Sequence, residues 1–187
     1  GTNEIKVLSS TQVKSLTSDQ VAALSPAQIA AIAALSIRGI DGEDLSALST
    51  DQVAAFSTAQ TASLTSQQIQ AFTTDQITAF GTHDIKALNI AQIPGLTSSQ
   101  IAALTTDQIA ALETLDVSAF VASQIPGFTT AAISVLSTAQ ARALTSAQLG
   151  AMTTDQLTAF STAQIAALST ATVKGIGSAA ISALSPD

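Results

Sequence analysis

The chain has 187 residues, of which 47% are hydrophobic and only 10% are charged, with a net charge of −7 and no Cys, Trp or Tyr. The acidic balance argues against nucleic acid as a partner, because binding phosphate requires a basic surface. The lack of Cys excludes disulfide frameworks, thiolate metal sites and Cys nucleophiles. Apolar residues combined with Ser, Thr and Gln, at such low charge, are typical of a repeat rather than of a compact enzyme.

An eight-residue period runs through the whole chain. Counted from Gly1, it divides residues 1–184 into 23 octads, and Ser185 begins a twenty-fourth. We number the octads in order and letter their positions a to h; octad 14, Thr-Thr-Asp-Gln-Ile-Ala-Ala-Leu at residues 105–112, is representative. Position h is always large and apolar, e is nearly always Ile, Val or Leu, g is nearly always small, and d is mostly Gln. Each position therefore has its own environment.

Each octad is predicted to be one short capped helix. Position a is mostly Ser or Thr, and Gln follows three residues later, as in a capping box. Acids concentrate at c and d and all bases lie at f, which complements the helix dipole. Positions e and h share a face in a helix, whereas in a strand they would lie on opposite faces. One continuous helix fails, because its apolar stripe would drift by about 80° per octad.

Neighbouring octads must bury the e/h face, because an isolated helix this short is not stable in water. The sequence therefore predicts an all-α solenoid, a superhelix of 23 tandem octads that forms one continuous domain over residues 1–187. Octads continue to both ends without a polar capping repeat, so we expect a fragment of a longer array. The number of octads per superhelical turn and its handedness stay open.

In chain order, the first variant stretch is residues 20–37, which carry no charge. A membrane helix needs about 20 predominantly apolar residues. This stretch instead includes Gln20, Gln28 and Pro26, and it keeps the octad frame. Pro26 follows Ser25 at the first helical position, where its missing N–H costs nothing. We expect ordinary repeats here and no membrane insertion, and no signal peptide is visible at the start of the chain.

His83 and Asp84, in octad 11, form the only adjacent His–carboxylate pair. One interpretation is a metal ligand or general base. We favour an exposed histidine in a variant octad, because no second His, Cys or carboxylate cluster accompanies it. Asp recurs at c, but a calcium ladder would need a denser carboxylate array and a Gly-bearing loop. No catalytic, cofactor-binding or metal residue, no cofactor and no small-molecule substrate is therefore predicted, and the protein is not expected to be an enzyme.

Pro94 and Pro126 lie inside otherwise helical octads, each in an Ile-Pro-Gly sequence. Each should remove a helical hydrogen bond, so we predict shortened or 3₁₀-like turns there. Longer segments also match each other, which indicates either duplication of longer blocks or a geometric period of several octads per coil. The matching segments are residues 81–96 with 113–128, and 33–48 with 169–184.

The octad consensus, Leu/Phe-Ser/Thr-Thr-Asp/Ala-Gln-Ile/Val-x-Ala, is clear at residues 104–112 and 160–168. It resembles the octapeptide arrays of very large bacterial surface or secreted proteins of the adhesin-like and haem-utilisation-like type. The resemblance implies an extracellular or cell-surface location in bacteria and a structural role in extended presentation. It brings no haem-binding motif with it, since His83 would be the only candidate axial ligand of the usual type.

Three functions are open on this sequence. The favoured one is a structural spacer or stalk that holds a binding domain away from the cell, because the octads are uniform and no site stands out. The second is a binding surface made of the Ser/Thr rows at a and b, which would contact glycans, ice, mineral or another repeat array. The third is ligand or metal binding in an apolar lumen or along the carboxylates. The nearly uncharged surface is also compatible with self-association.

Overall fold

The computed structural model describes residues 1–177, in which each octad from 1 to 22 forms one short helix and no strand occurs. The predicted all-α repeat solenoid is thereby confirmed for octads 1–22, and residues 178–184 of octad 23 lie outside the described residues. The α-helices of octads 1–4 and 6–11 are Thr2–Lys6, Ser10–Lys14, Ser18–Ala22, Pro26–Ala31, Gly42–Ala47, Thr50–Ala54, Thr58–Ser63, Ser66–Ala71, Thr74–Ala79 and Thr82–Lys86. Those of octads 13–15 and 17–22 are Ser98–Ala103, Thr106–Ala111, Thr114–Ala119, Thr130–Ser134, Thr138–Ala143, Ser146–Gly150, Thr154–Thr158, Thr162–Ala167 and Thr170–Val173. Octads 5, 12 and 16 form 3₁₀ helices at Ser36–Gly39, Ile93–Gly95 and Ala122–Gly127.

The start of each helix follows from the capping residues. In octad 10 the backbone N–H of Gln76 donates to Thr73 Oγ1 at 3.2 Å, and the backbone N–H of Thr73 donates to Gln76 Oε1 at 2.8 Å. The capping box predicted for this octad type is therefore formed. After the helix, Phe80 and Gly81 both have an extended backbone, and these two residues turn the chain into the next helix. No residue of the described part has a positive φ, so the turn itself requires no glycine.

Side chains at e and h fill the interior. The two residues at e that are not large, Thr61 and Ala141, are buried like the isoleucines at the same position. At h, the rings of Phe56, Phe72 and Phe80 pack against one another with centroids 5.2–6.0 Å apart. Each fully buried large apolar side chain contributes about 1.5–3 kcal/mol, so this interior supplies the main stabilisation of such short helices.

The chain divides into two compact units, Gly1–Leu96 and Thr97–Asp187. The division falls between octads 12 and 13 and does not interrupt the eight-residue frame. Both units repeat the same local arrangement of octads. That the whole chain behaves as one continuous domain stays a prediction.

Within each unit, the helix of one octad packs against the helix of the third octad after it. In the first unit Gly42–Ala47 of octad 6 packs against Ser66–Ala71 of octad 9, and in the second unit Thr138–Ala143 of octad 18 packs against Thr162–Ala167 of octad 21. The other closely packed helix pairs within each unit have the same separation. The chain therefore winds so that octads three apart lie side by side in successive coils.

The 3₁₀ helices bring the backbones of successive coils into close approach. Those at Pro94 and Pro126 confirm the prediction, whereas the one at Ser36–Gly39 contains no proline and was not predicted. All three octads have Gly at g. A Cβ on any of these glycines would lie under 3.0 Å from a backbone carbonyl oxygen of the preceding coil, so only Gly fits. The pairs, always 29 residues apart, are Gly39 with Ser10, Gly95 with Ser66, and Gly127 with Ser98, and Gly175 of octad 22 approaches Ser146 in the same way.

This close approach accounts for part of the longer matches in the sequence, of which residues 178–184 lie outside the described part of the chain. Both matching pairs, 33–48 with 169–184 and 81–96 with 113–128, contain octads with Gly at g, and each of those glycines lies over a Ser at b three octads earlier. A repeated packing requirement is therefore sufficient to place similar residues at these points. It favours the geometric interpretation of the longer matches.

Candidate functional site: the glutamine bridges between coils

The Gln at position d has two functions in one side chain. In octad 10, Gln76 Oε1 caps its own helix, while Gln76 Nε2 donates to the carbonyls of Leu45 at 2.8 Å and of Leu48 at 2.6 Å. These acceptors are the e and h carbonyls of octad 6, four octads earlier. Carbonyls in the last turn of a helix lack the donors of the helix interior, and that of Leu45 otherwise accepts the N–H of Leu48 at 3.2 Å. Gln76 therefore accepts a backbone N–H at the start of its own helix and donates to backbone carbonyls at the end of a helix in the preceding coil.

We call this arrangement the glutamine bridge. Its donor is Nε2 of a Gln at d, and its acceptors are the carbonyls 31 and 28 residues earlier, with distances of 2.6–2.8 Å to the h carbonyl. All of these glutamines are buried. They are Gln52, Gln60, Gln68, Gln76 and Gln92 in the first unit, and Gln140, Gln148, Gln156 and Gln164 in the second.

The glutamine bridge also defines the coil. Helices pack three octads apart, whereas bridges reach back four octads, so one coil contains more than three and fewer than four octads. The side-chain amide has one acceptor oxygen and two N–H donors; the capping box uses the oxygen, and the bridge uses the donors. A buried polar group that is fully paired stabilises without the desolvation cost of an unpaired one. The bridges are thus the recurring polar links in the contact between coils, beside the apolar side chains at e and h.

Octad 5 has a shorter version of the bridge. Its d residue is Ser36, whose Oγ donates to the carbonyl of Leu8 at 2.7 Å, 28 residues earlier. Between Cα and the donor atom, serine is two atoms shorter than glutamine, so Ser36 reaches this carbonyl only where the coils lie close together. This is the octad in which Gly39 approaches the backbone of Ser10. The small residues at d and g in octad 5 therefore serve the same contact: Gly39 allows the two coils to approach, and Ser36 forms the hydrogen bond between them.

Three acids at d, Asp44, Asp84 and Asp116, are buried, although the sequence placed them only among the acids of the first turn. Asp84 Oδ2 accepts a hydrogen bond from the backbone N–H of Gly81 at 3.2 Å, and Asp116 Oδ2 accepts one from Glu113 at 3.0 Å. Burial raises the pKa of the Asp84 carboxyl and of the Asp116 carboxyl. Asp84 and Asp116 thus keep the capping half of the role of position d, but a carboxylate has no N–H to donate to another coil.

His83 is exposed in the first turn of Thr82–Lys86, beside the buried Asp84. The aspartates at c, such as Asp51 and Asp75, are also exposed. Across residues 1–177, no group of three or more His, Cys, Asp or Glu side chains lies close enough to hold a metal ion. The residues that the sequence singled out for chemistry are therefore not brought together in the part of the chain that the structure describes.

Two further features bear on ligand binding. Hydroxyls at a accept a hydrogen bond from their own helix, as Ser57 does, whereas hydroxyls at b, such as Thr58 and Thr74, are exposed. In the interior of the second unit, a cavity of about 10 Å³ lies between Phe120, Phe128, Met152 and their neighbours. Such a volume holds no more than about one water molecule.

No helix within residues 1–177 is long and apolar enough to span a membrane. Each helix instead ends after one or two turns, because the octad places a new cap every eight residues.

The residues that build the bridge also identify the repeat. Residues 103–108, Ala-Leu-Thr-Thr-Asp-Gln, run from the small residue at g through the buried h residue and the cap to Gln108 at d, the position that makes the bridge elsewhere in each unit. The ALTTAQ repeat family matches residues 1–34, 37–74, 77–114, 109–146, 135–162 and 142–170. The chain belongs to the ALTTAQ repeat family. No curated protein matches it. In this ALTTAQ array the family pattern thus corresponds to one coil-forming unit: a packing position, a core position, a cap and a bridge.

The sequence predicted only half of the role of position d in the ALTTAQ octad. A capping box accepts Glu as readily as Gln, yet d is Gln in 15 octads and Glu in only one, where Glu4 is exposed. The carboxylate can accept but cannot donate, whereas the amide does both. The preference for Gln over Glu was therefore the signal, present in the sequence, that position d contacts another coil.

Proposed function

We propose that this ALTTAQ array is a structural spacer, an extended stalk of a large bacterial surface or secreted adhesin-like protein that holds a binding domain away from the cell. The observation that carries the proposal is the recurrence of the glutamine bridge at a constant sequence separation in both units. Within each unit, successive coils are attached to each other by the same bonds. An array of equivalent parts sets a length, and no octad is distinguished as a binding site.

A spacer needs stability that does not depend on its total length. In a solenoid each repeat contacts only its neighbours, so octads can be added or removed without changing the contacts of the rest. The bridges and the e/h interior both obey this rule, because each links an octad to octads three or four positions away. Extracellular location and the absence of catalysis belong to the proposal; the resemblance to bacterial surface arrays supports the first, and the uniformity of the octads supports the second.

Deletion of whole octads tests the spacer function. Residues 41–64, octads 6–8, lie between the close-approach pairs Gly39–Ser10 and Gly95–Ser66, so their removal leaves both pairs intact. We expect the deleted chain to keep its helical circular dichroism per residue and to have a smaller maximum dimension in small-angle X-ray scattering. In the protein that carries the array, binding by the attached domain should persist.

The matched control removes half an octad, residues 41–44, which places every later e and h residue out of phase with the earlier coil. This variant should lose helical signal despite the smaller deletion. Unfolding of the whole-octad variant, or loss of binding after removal of one particular octad, would contradict a spacer.

A binding surface for glycan, ice, mineral or another repeat array is the second candidate, and the exposed Ser and Thr residues at b favour it. The stacking weighs against one flat hydroxyl ladder, because a b residue such as Ser66 lies opposite a g residue, Gly95, of the next coil rather than opposite another b residue. Glycan-array and ice-recrystallisation assays on this chain decide the matter, and uniformly negative results remove this candidate.

A further inference from the structure

Octad 11, in the interior of the first unit, has an acid where both of its neighbours have a bridging glutamine. Octads 10 and 12 bridge to octads 6 and 8 through the glutamines at d. In the same register Asp84, at d in octad 11, lies opposite octad 7, where the matching carbonyls are those of Val53 and Phe56. The helix of octad 11 also packs against the helix of octad 8, three octads earlier, as other octads do. Asp84 therefore occupies a formed contact between coils that lacks its amide donor.

The two oxygens of the buried Asp84 carboxyl are used unequally. Oδ2 accepts the backbone N–H of Gly81 at 3.2 Å, which is the capping role of Oε1 in a glutamine. Oδ1 takes the place of the glutamine Nε2, and within residues 1–177 it accepts no hydrogen bond. A buried carboxylate is held ionised by two or three donors, and octad 11 supplies one. Because its N-cap is Gly81, it also lacks the hydroxyl that donates to the d side chain in octad 8, where Ser57 Oγ lies 3.1 Å from Gln60 Oε1.

The carbonyl opposite Asp84 is also without a partner. The Phe56 carbonyl oxygen accepts no hydrogen bond from the residues that the structure describes, whereas the h carbonyls of octads 6 and 8, Leu48 and Leu64, each accept a glutamine amide. The Val53 carbonyl already accepts the N–H of Phe56 at 3.0 Å. An ionised Oδ1 and the Phe56 oxygen are both acceptors, so no hydrogen bond can form between them. One proton would complete the pair.

We propose that Asp84 is a proton-operated bridge between coils. When the carboxyl takes up one proton from solvent, the new Oδ1–H donates to the carbonyl oxygen of Phe56, while Oδ2 keeps its bond to the N–H of Gly81. The carboxylic acid then acts as the glutamine amide does in other octads, accepting at the cap and donating to the preceding coil. Between Cα and the donor atom aspartate has one atom fewer than glutamine, so the bond draws octad 11 toward octad 7 by up to about 1.5 Å. The link forms in acid and is released at neutral pH.

The charges around Asp84 leave this behaviour to its burial. Burial raises the pKa of the Asp84 carboxyl and outweighs the N–H of Gly81 and the neighbouring His83, which both lower it. In the first unit, octads 8 and 12 contain no titratable side chain. The other titratable groups of this octad and of octads 7 and 10 are exposed, and they are Lys86, Asp51 and Asp75. The stabilising contribution is therefore complete below pH 3.8, the ordinary pKa, and is lost as the pH rises through the raised pKa of the folded state. This pH response goes beyond the spacer function, which does not require it.

The test compares the wild-type chain with Asp84→Asn and Asp75→Asn. Asparagine has the length of aspartate, and its amide accepts and donates at any pH, so Asp84→Asn keeps the bridge permanently closed. Asp75→Asn removes the same charge at an exposed position of the preceding octad and is the matched control. The readout is the NMR ¹³C chemical shift of the Phe56 carbonyl, which responds to a hydrogen-bond donor. It is followed together with the Asp84 carboxyl from about pH 3 to about pH 7, a range that covers the titration of carboxyl groups.

In the wild type and in Asp75→Asn, we expect the Phe56 carbonyl shift to titrate with the same midpoint as the Asp84 carboxyl, above pH 3.8. In Asp84→Asn it should stay constant, at the value that the wild type reaches in acid. The Leu48 carbonyl, which Gln76 bridges, should not titrate in any of the three chains. A Phe56 carbonyl that does not respond to pH in the wild type overturns the proposal, even if the Asp84 midpoint is raised. So does a response that persists in Asp84→Asn or is lost in Asp75→Asn. None of these outcomes affects the deletion test of the spacer function.

Discussion

Octads 2–4 and octads 7–10 have nearly the same sequence and the same local structure, yet their glutamines have different environments. In both regions a Ser or Thr at a and a Gln at d form a complete capping box, as at Ser9–Gln12 and Ser57–Gln60. Gln60 also bridges to the carbonyls of Ile29 and Ile32 and is buried, whereas Gln12 is exposed. The capping box is therefore a property of the octad, and the bridge is a property of the stack. One residue type serves both levels of structure.

The largest expected effect comes from the close approach of backbones that the regular octads lack. Gly95→Ala would place a Cβ under 3.0 Å from the carbonyl oxygen of Ser66, which is backbone and cannot rotate away. We expect a loss of about 3 kcal/mol in the free energy of unfolding, measured by urea denaturation followed by circular dichroism. Gly177→Ala, where a Cβ meets nothing within 4 Å, is the control and should be close to neutral. Equal stability of the two variants would remove the close-approach argument.

The bridge itself gives the next effect and separates the two regions directly. Gln76→Glu keeps the cap on Thr73 but removes the donor of the Leu48 carbonyl, and it leaves the Leu45 carbonyl only the backbone N–H of Leu48. Unpaired buried acceptors cost about 1–3 kcal/mol, and we expect about 2 kcal/mol less stability. Gln12→Glu makes the same chemical change at an exposed site, and its effect should stay within about 0.5 kcal/mol. If both substitutions lower the free energy of unfolding equally in urea melts, the bridge of Gln76 adds no stability beyond that of the exposed Gln12.

Removing the N-cap should instead affect both regions alike. Ser9→Ala and Ser57→Ala each delete the oxygen that accepts the backbone N–H of the Gln three residues later. We expect about 1 kcal/mol less stability for each variant, because capping is local to the octad. Thermal melts of the two variants, compared with Ser9→Thr and Ser57→Thr as conservative controls, measure this. A much larger loss of stability for Ser57→Ala than for Ser9→Ala would mean that the cap at Ser57 also supports the bridge made by Gln60.

The smallest expected effect is a gain in the free energy of unfolding at octad 11, where Asp84 occupies the position of the bridging glutamine. Asp84→Gln restores a donor opposite the carbonyls of Val53 and Phe56, which lie 31 and 28 residues earlier, and should add about 0.5–1 kcal/mol at neutral pH. The raised pKa of Asp84 means that the folded state binds the proton more tightly than the unfolded state. Its contribution to stability therefore falls as the pH rises above its ordinary value of 3.8.

Comparing wild type and Asp84→Gln in urea from acidic to neutral pH checks both statements. The stability advantage of the variant should grow as the pH rises. An advantage that shrinks over this range would mean that the carboxylate is stabilised by folding.

Much of this fold could be predicted from the sequence, because its rules are local. The caps at a, the core residues at e and h and the 3₁₀ turns at Pro94 and Pro126 all follow from preferences within eight residues. The coil could not be derived in the same way, since its geometry joins residues 28–31 apart that share no pattern of their own. The 3₁₀ turn at Ser36–Gly39 was not predicted for the same reason. Its glycine is required by the close approach to the backbone of Ser10 in the preceding coil. For position d, the choice of Gln over Glu held the missing information.

Hydrogen exchange of the glutamine side-chain amides tests the bridge most directly. In NMR spectra of the intact chain, the Nε2 protons of Gln52, Gln60, Gln68 and Gln76 should exchange slowly, because each amide is buried and donates to two carbonyls. Those of Gln12 and Gln20, which are exposed, should exchange at the rate of a free amide. Equal exchange rates for the two groups would contradict the account, since the glutamines would then cap helices without joining the coils.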